Sequence, residues 1–157
     1  MYKHIFVPTD GSEMSNRAIE YAAALAKGVN AKLTVFTVTT PYYGFAVEPD
    51  LVTIGAEEYK KDVEKLAAHS LDVAKDIAAA AQVPCELIHV EHPQPYQAII
   101  DAAKARGCDL IVMASHGRRG LAAIVLGSET VKVLTHSTIP VLVVRPKVDP
   151  VAFLKGS

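Results

Sequence analysis

The sequence predicts an α/β fold, a three-layer sandwich with helices on both faces of a five-stranded parallel sheet. Three observations predict it. Five short runs rich in β-branched and apolar residues recur along the chain. Stretches with apolar residues at helical spacing separate them. The first run and the last two are nearly continuous apolar, as strands covered on both faces should be. Strands alternating with helices build right-handed βαβ units, and hence a parallel sheet.

Each element has its own signal. "KHIFVP" (3–8) is the first strand. In 13–27, Met14, Ala18, Tyr21, Ala22 and Leu25 recur at helical spacing, and Lys27 and Gly28 supply a stop. "KLTVFTV" (32–38) is the second strand. "TTPYYGFAVEPDLVTIG" (39–55) is a long connection with two prolines and two glycines, expected as a flap near the site. In 57–81, Val63, Leu66, Ala67, Ser70, Leu71, Ala74, Ile77, Ala78 and Ala81 form one stripe, with Glu64, Lys65, Asp72, Lys75 and Asp76 facing elsewhere. "CELIHVE" (85–91) is the third strand. Residues 94–106 form a helix closed by Gly107, and "CDLIVMAS" (108–115) is the fourth strand. Residues 128–136 form the last helix, "IPVLVVR" (139–145) the last strand, and 147–157 a tail after a single domain, 1–146.

The totals exclude several classes of function. Of the 157 residues, 50% are hydrophobic and 21% charged, with a net charge of −1. That is an ordinary globular composition, and the charge gives no sign of a nucleic-acid partner. No run reaches the ~18 apolar residues of a membrane span. The N-terminus lacks the apolar core of a signal peptide, so a cytoplasmic protein is expected. Cys85 and Cys108 have no metal or redox spacing; they read as two small buried hydrophobes, with a disulfide left open.

In open parallel sheets, ligands bind beyond the carboxyl ends of the strands. Here those ends carry "PTDGS" (8–12), "TTPYYG" (39–44) and "SHGRRG" (115–120). Gly117 can take a positive φ and admit a ligand close to the backbone. Gly127-Ser128 opens a helix, whose N-terminus attracts anions. Arg118 and Arg119 offer forked donors, and Ser128 and Thr130 offer hydroxyls. This set suits a polyphosphate. The plainer alternative is that Gly117 and Gly120 shape a turn and Ser128 caps a helix. Asp10 has two readings as well, a bond to a ribose hydroxyl or a helix N-cap; it could also fix the loop that carries Thr9 and Gly11. No Walker A loop or Rossmann fingerprint is present.

"HIFVPTDGSE" and "LIVMASHGRRGLAAIVLGSETVKVLTHSTIPVLVVR" resemble the universal stress protein family, over residues 2–146. Nucleotide-binding members of that family carry Gly-x2-Gly-x9-Gly-Ser/Thr. Here the spacing falls on Ala114-x2-Gly117-x9-Gly127-Ser128, so the first glycine is replaced by Ala114. The resemblance implies strand order 3-2-1-4-5 and an adenine nucleotide (ATP, ADP or AMP), with Mg2+ beside a triphosphate. It implies that Pro8, Thr9 and Asp10 border the adenine and ribose, and that the backbone of Val38 receives the adenine edge. Met113 would pack near the base or sugar. Ala114, Ser115, His116, Gly117 and Arg118 would wrap the phosphates, and Gly127, Ser128, Glu129 and Thr130 would close the cradle. The resemblance also implies a homodimer paired through Pro140–Val144.

Three functions follow: a nucleotide-binding regulator of the stress response, a slow ATP hydrolase, and a nucleotide-free dimeric interaction protein. Hydrolysis needs a group to position water. Glu129 and Asp10 are the nearby acids, and neither sits in a catalytic motif. The first reading is the one expected. His116 is expected to be a loop or phosphate contact. His89, His92, Lys104 and Arg106 are assigned no chemistry.

Overall fold

The computed structural model describes residues 1–42, 49–117 and 126–146, with 49–54 described by backbone alone. The elements are β1 (His4–Pro8), α1 (Glu13–Val29), β2 (Lys32–Thr39), α2 (Pro49–Ala80), β3 (Cys85–Glu91), α3 (Pro95–Ala105), β4 (Leu110–Ala114), α4 (Ser128–His136) and β5 (Val141–Val144). The sheet order is β3-β2-β1-β4-β5, all parallel. Val7 pairs with Val35, Val35 with Leu87, Ile5 with Leu110 and Met113 with Val143. The predicted fold class and order are those observed.

Strand side chains alternate between faces, and the two faces build two cores. Ile5, Val7, Leu33, Val35, Leu110 and Val112 pack against the small residues of α1 and α2. Phe6, Phe36, Ile111 and Met113 pack against Ile99, Ile100 and Ala103 of α3 and Val133 of α4. Phe6 and Phe36 are fully buried, with ring centroids 5.2 Å apart. Full burial of one such side chain contributes about 1.5–3 kcal/mol.

The helices meet the sheet through alanine-rich stripes; on α2 this is the predicted stripe apart from Leu66, and on α1 it shifts the buried face from the predicted one. On α1 the buried residues are Ser15, Ala18, Ile19, Ala22, Ala23 and Ala26, while Tyr21 is 52% exposed. On α2, Ala67, Ser70, Ala74 and Ala78 are buried and Leu66 is 49% exposed. A stripe of small side chains lets the helix axis come close to the sheet, and the bulkier residues move to the flanks. The stop of α1 also differs. Gly28 lies inside the helix, and Asn30 takes the left-handed conformation (φ 58°) that ends it. Asparagine is the usual alternative to glycine there. α3 closes as predicted, with Gly107 at φ 67°.

α2 begins at Pro49 rather than near residue 57. Proline at the first helical position is preset for the helix and loses no bond by lacking an N–H. The expected flap over 39–55 is therefore partly helix. Its described N-terminal part is fastened to α2: the Tyr59 hydroxyl donates to the Thr40 carbonyl (3.2 Å), and the Tyr42 and Tyr59 ring centroids lie 5.1 Å apart. Residues 43–48, Arg118, Arg119, Gly120 and the tail 147–157 lie outside the described residues.

Cys85 is half-buried, Cys108 is buried, and both are free thiols. Cys85 starts β3 and Cys108 precedes β4, with β2 and β1 between those strands. Two intervening strands separate them by about 14 Å, twice the reach of a disulfide.

Candidate nucleotide site at the carboxyl ends of the strands

The site begins where β1 runs out. The Thr9 N–H continues the ladder by donating to the Phe36 carbonyl (2.8 Å), and the Thr9 carbonyl accepts the Thr37 hydroxyl (2.9 Å). The chain then turns sharply at Gly11, whose φ of 78° favours glycine. Asp10 is not the N-cap of α1; Ser12 is, with its hydroxyl accepting the Ser15 N–H at 3.2 Å. Asp10 instead fixes the loop. Its Oδ1 accepts the Ser12 N–H (2.9 Å) and the Ser15 hydroxyl (2.7 Å). That matches the indirect role weighed from the sequence.

The β4 end is tied to two neighbours. The Ser115 N–H donates to the Val144 carbonyl of β5 (3.0 Å). The Ser115 carbonyl accepts the Gly127 N–H (2.6 Å), and the Thr130 hydroxyl donates to the Ala114 carbonyl (3.0 Å). These bonds dock the N-terminus of α4 onto the end of β4. Ser128 is the first residue of α4, and its N-cap is Gly127, which brings no side chain to cover the first turn.

Both motif glycines sit in close quarters. A Cβ on Gly117 would overlap the Asp10 carboxylate, and one on Gly127 would lie 3.2 Å from the His116 Cα. The freedom to adopt positive φ, expected at Gly117, is not what it supplies; the positive-φ glycines among the described residues are Gly11 and Gly107.

These loops enclose a cavity of about 680 Å3, a size typical of small-molecule sites. Of the predicted residues, Pro8, Thr9, Asp10, Val38, Met113, Ala114, His116, Gly117, Gly127, Ser128, Glu129 and Thr130 line it. Ser115 is fully buried and supports the wall from behind, with its hydroxyl 3.2 Å from His116 Nδ1. Arg118 lies outside the described residues.

The cavity has two chemical ends. One is apolar, walled by Phe36, Val38, Ile99 and Met113. There the backbone of β2 is also available. Phe36 turns its carbonyl towards β1, Thr39 turns its carbonyl towards β3 to meet the His92 N–H (2.9 Å), and peptide direction alternates along a strand. Val38 therefore directs its N–H and C=O to the side on which β1 has ended at Pro8. The other end holds Gly117, Gly127 and the first turn of α4, with its partial positive charge. An apolar slot edged by one peptide's donor and acceptor suits a flat heterocycle, and a glycine-bordered helix N-terminus suits an anion.

Sequence reasoning missed five lining residues: Ser15, Phe36, Pro95, Ile99 and Leu126. Phe36 had a signal, since it lies two positions before Val38 on the same face of β2. Pro95 and Ile99 share one face of α3 at helical spacing, but nothing local says which cavity that face meets. Glu129 lines the cavity, yet its carboxylate is engaged at the N-terminus of α3. Its Oε2 accepts the Tyr96 N–H (2.8 Å), and its Oε1 lies 3.3 Å from the Lys132 ammonium.

A family model described as the universal stress protein family matches residues 1–145. The chain belongs to the universal stress protein family. One family relative, universal stress protein YxiE of Bacillus subtilis, is 35% identical over 92% of this chain and all of its own length. Among solved structures, MJ0577 of Methanocaldococcus jannaschii is 29% identical with a TM-score of 0.77, covering 95% of this chain and 99% of that one. A universal stress protein solved in complex with cAMP is 28% identical with a TM-score of 0.69, covering 93% of this chain and 98% of its own. No helix among the described residues of this universal stress protein is long and apolar enough to cross a membrane.

Proposed function

We propose that this protein binds an adenine nucleotide (ATP, ADP or AMP) and acts as a regulator in the stress response, with little or no turnover. One observation carries the reading. A single cavity joins an apolar slot beside the open peptide of Val38 to a helix N-terminus bordered by Gly117 and Gly127. Adenine would lie in the slot, the ribose near Thr9 and Asp10, and the phosphates against Gly117, Gly127 and Ser128. The solved relative in complex with cAMP supports an adenine ligand. Ala114 replaces the first motif glycine at the buried end of β4, so the ligand sits against a methyl group there.

Mg2+ would enter with a triphosphate, held mainly by phosphate oxygens and water. No three His, Cys, Asp or Glu converge among the described residues, and the Asp10 and Glu129 carboxylates are engaged in loop and helix bonds. Those same bonds argue against either acid as a base for water, and so for binding over hydrolysis.

The reading extends to a homodimer in the cytoplasm. β5 is an edge strand, and Val141–Val144 are only half-buried. A second copy paired along Pro140–Val144 would cover that edge.

Thermal unfolding of nucleotide-stripped protein with ATP, AMP and GTP tests the proposal. Ligand at 100 times its dissociation constant adds about 2.7 kcal/mol, a midpoint rise on the order of 5–10 °C at this size. A rise with ATP and AMP but not GTP is the expected result. No rise at millimolar ATP overturns it in favour of a nucleotide-free dimer.

A further inference from the structure

Two helix N-termini border the cavity. Pro95, the first residue of α3, and Ser128, the first of α4, both line it. Each terminus carries partial positive charge, so each could receive an anion. Their local chemistry differs. At α3 the backbone donors are consumed. Pro95 has no N–H, the Tyr96 N–H donates to Glu129 Oε2 (2.8 Å), and the Gln97 and Ala98 N–H groups both donate to the Gln94 carbonyl (3.1 Å). The N-cap of α3, Gln94, makes no side-chain cap bond, so the carboxylate of Glu129 reaches over from α4 to do that work. Its charge also meets the Lys132 ammonium, which lies 5.6 Å from the centroid of the Tyr96 ring. At α4 the N-cap is Gly127, which has no side chain of its own, and no side chain among the described residues makes a cap bond there.

We infer that Glu129 is a positioning residue: it closes the N-terminus of α3 to anions, so that a phosphate in this cavity turns to the α4 end. The closure follows from the bonds just given. The orientation of a nucleotide rests on the binding reading above, since it needs a ligand with a base at one end and phosphate at the other. With α3 closed, a nucleotide has one way to lie, base towards Val38 and phosphate towards Ser128. Without Glu129, the α3 terminus, the Tyr96 N–H and an unpaired Lys132 would together make a second anion seat.

Inorganic phosphate titrated into the 15N-labelled full-length protein, read at single backbone amides, tests the closure without a nucleotide. In wild type the Ser128 and Thr130 amides shift and the Tyr96 amide stays still. In Glu129→Ala the Tyr96 amide joins them, with phosphate held there about fivefold more tightly than in wild type. Glu129→Gln still offers an oxygen to the Tyr96 N–H and keeps that amide still, which a merely loosened fold would not do. A Tyr96 amide that follows phosphate in wild type, or stays still in Glu129→Ala, overturns the inference; the wild-type arm decides alone if Glu129→Ala does not fold. A second titration compares adenosine with ATP. Additional shifts from ATP at Gly127 and Ser128 but not at Tyr96 support the orientation, and the reverse pattern overturns it. If neither ligand moves any cavity amide, the nucleotide reading fails while the phosphate arm still decides the closure.

Discussion

The two ends of the sheet use the same kinds of residue for opposite purposes. At the amino ends of the strands, polar groups satisfy one another and close the structure. Asp109 accepts the Lys3 and His4 N–H groups (2.9 and 3.1 Å), buried His4 meets the Thr34 hydroxyl through Nε2 (2.6 Å), and Arg106 pairs with Glu86. At the carboxyl ends, Asp10, Ser115 and Thr130 spend their bonds holding loops in place around a cavity. An aspartate that ties down strand starts supports stability; one that shapes a turn beside Gly117 supports a binding site.

The largest effect that could break this contrast is at Gly117. Gly117→Ala sets a methyl group against the Asp10 carboxylate, so the carboxylate must turn away or one of the two loops must shift. We expect ATP affinity to fall about a hundredfold, measured by calorimetry, with unfolding still cooperative. A variant that binds ATP as wild type does would remove the role of this close approach. At the other end, Asp109→Ala removes the acceptor of two backbone donors, one of them exposed to water, and should cost about 1 kcal/mol, read by urea unfolding. Affinity should not change, and a loss there would show that the two ends are not separate in function.

The smallest effect is the dependence on pH. Burial holds the His4 imidazole below its ordinary value of 6.5, with the Lys32 charge adding to the shift. The unfolded chain therefore takes up the proton first. Stability is full above 6.5 and falls as pH drops through that value towards the folded-state pKa. Unfolding midpoints measured between pH 7.5 and 5.5 should decline less steeply in His4→Gln than in wild type. Parallel declines would assign the pH dependence to other groups.

How much of this was legible in the sequence depended on distance along the chain. The strands, the helix at 128–136 and the closure at Gly107 rest on local periodicity and turn chemistry, and these were readable. The start of α2 was missed because prolines and glycines in 39–55 mark a loop as readily as a helix entry. The phase of α1 was missed because Tyr21 fits the apolar spacing, while the close approach of an alanine stripe decides burial. In the site, the glycine loop was legible through its resemblance to a family. Ile99 and the bond from Glu129 to Tyr96 were not, since each depends on how α3 and α4 dock, which no local pattern encodes.

Asp10 and Gly117 touch across about two thirds of the length of the chain, and only the pairing of β1 with β4 brings them together. Such a non-local contact is slow to form, because the intervening chain must first be ordered. The cavity is therefore expected to be among the last features to appear during folding. Ligand capture should lag behind the gain of helical signal in a refolding experiment, which makes it a clock for completion of the native topology.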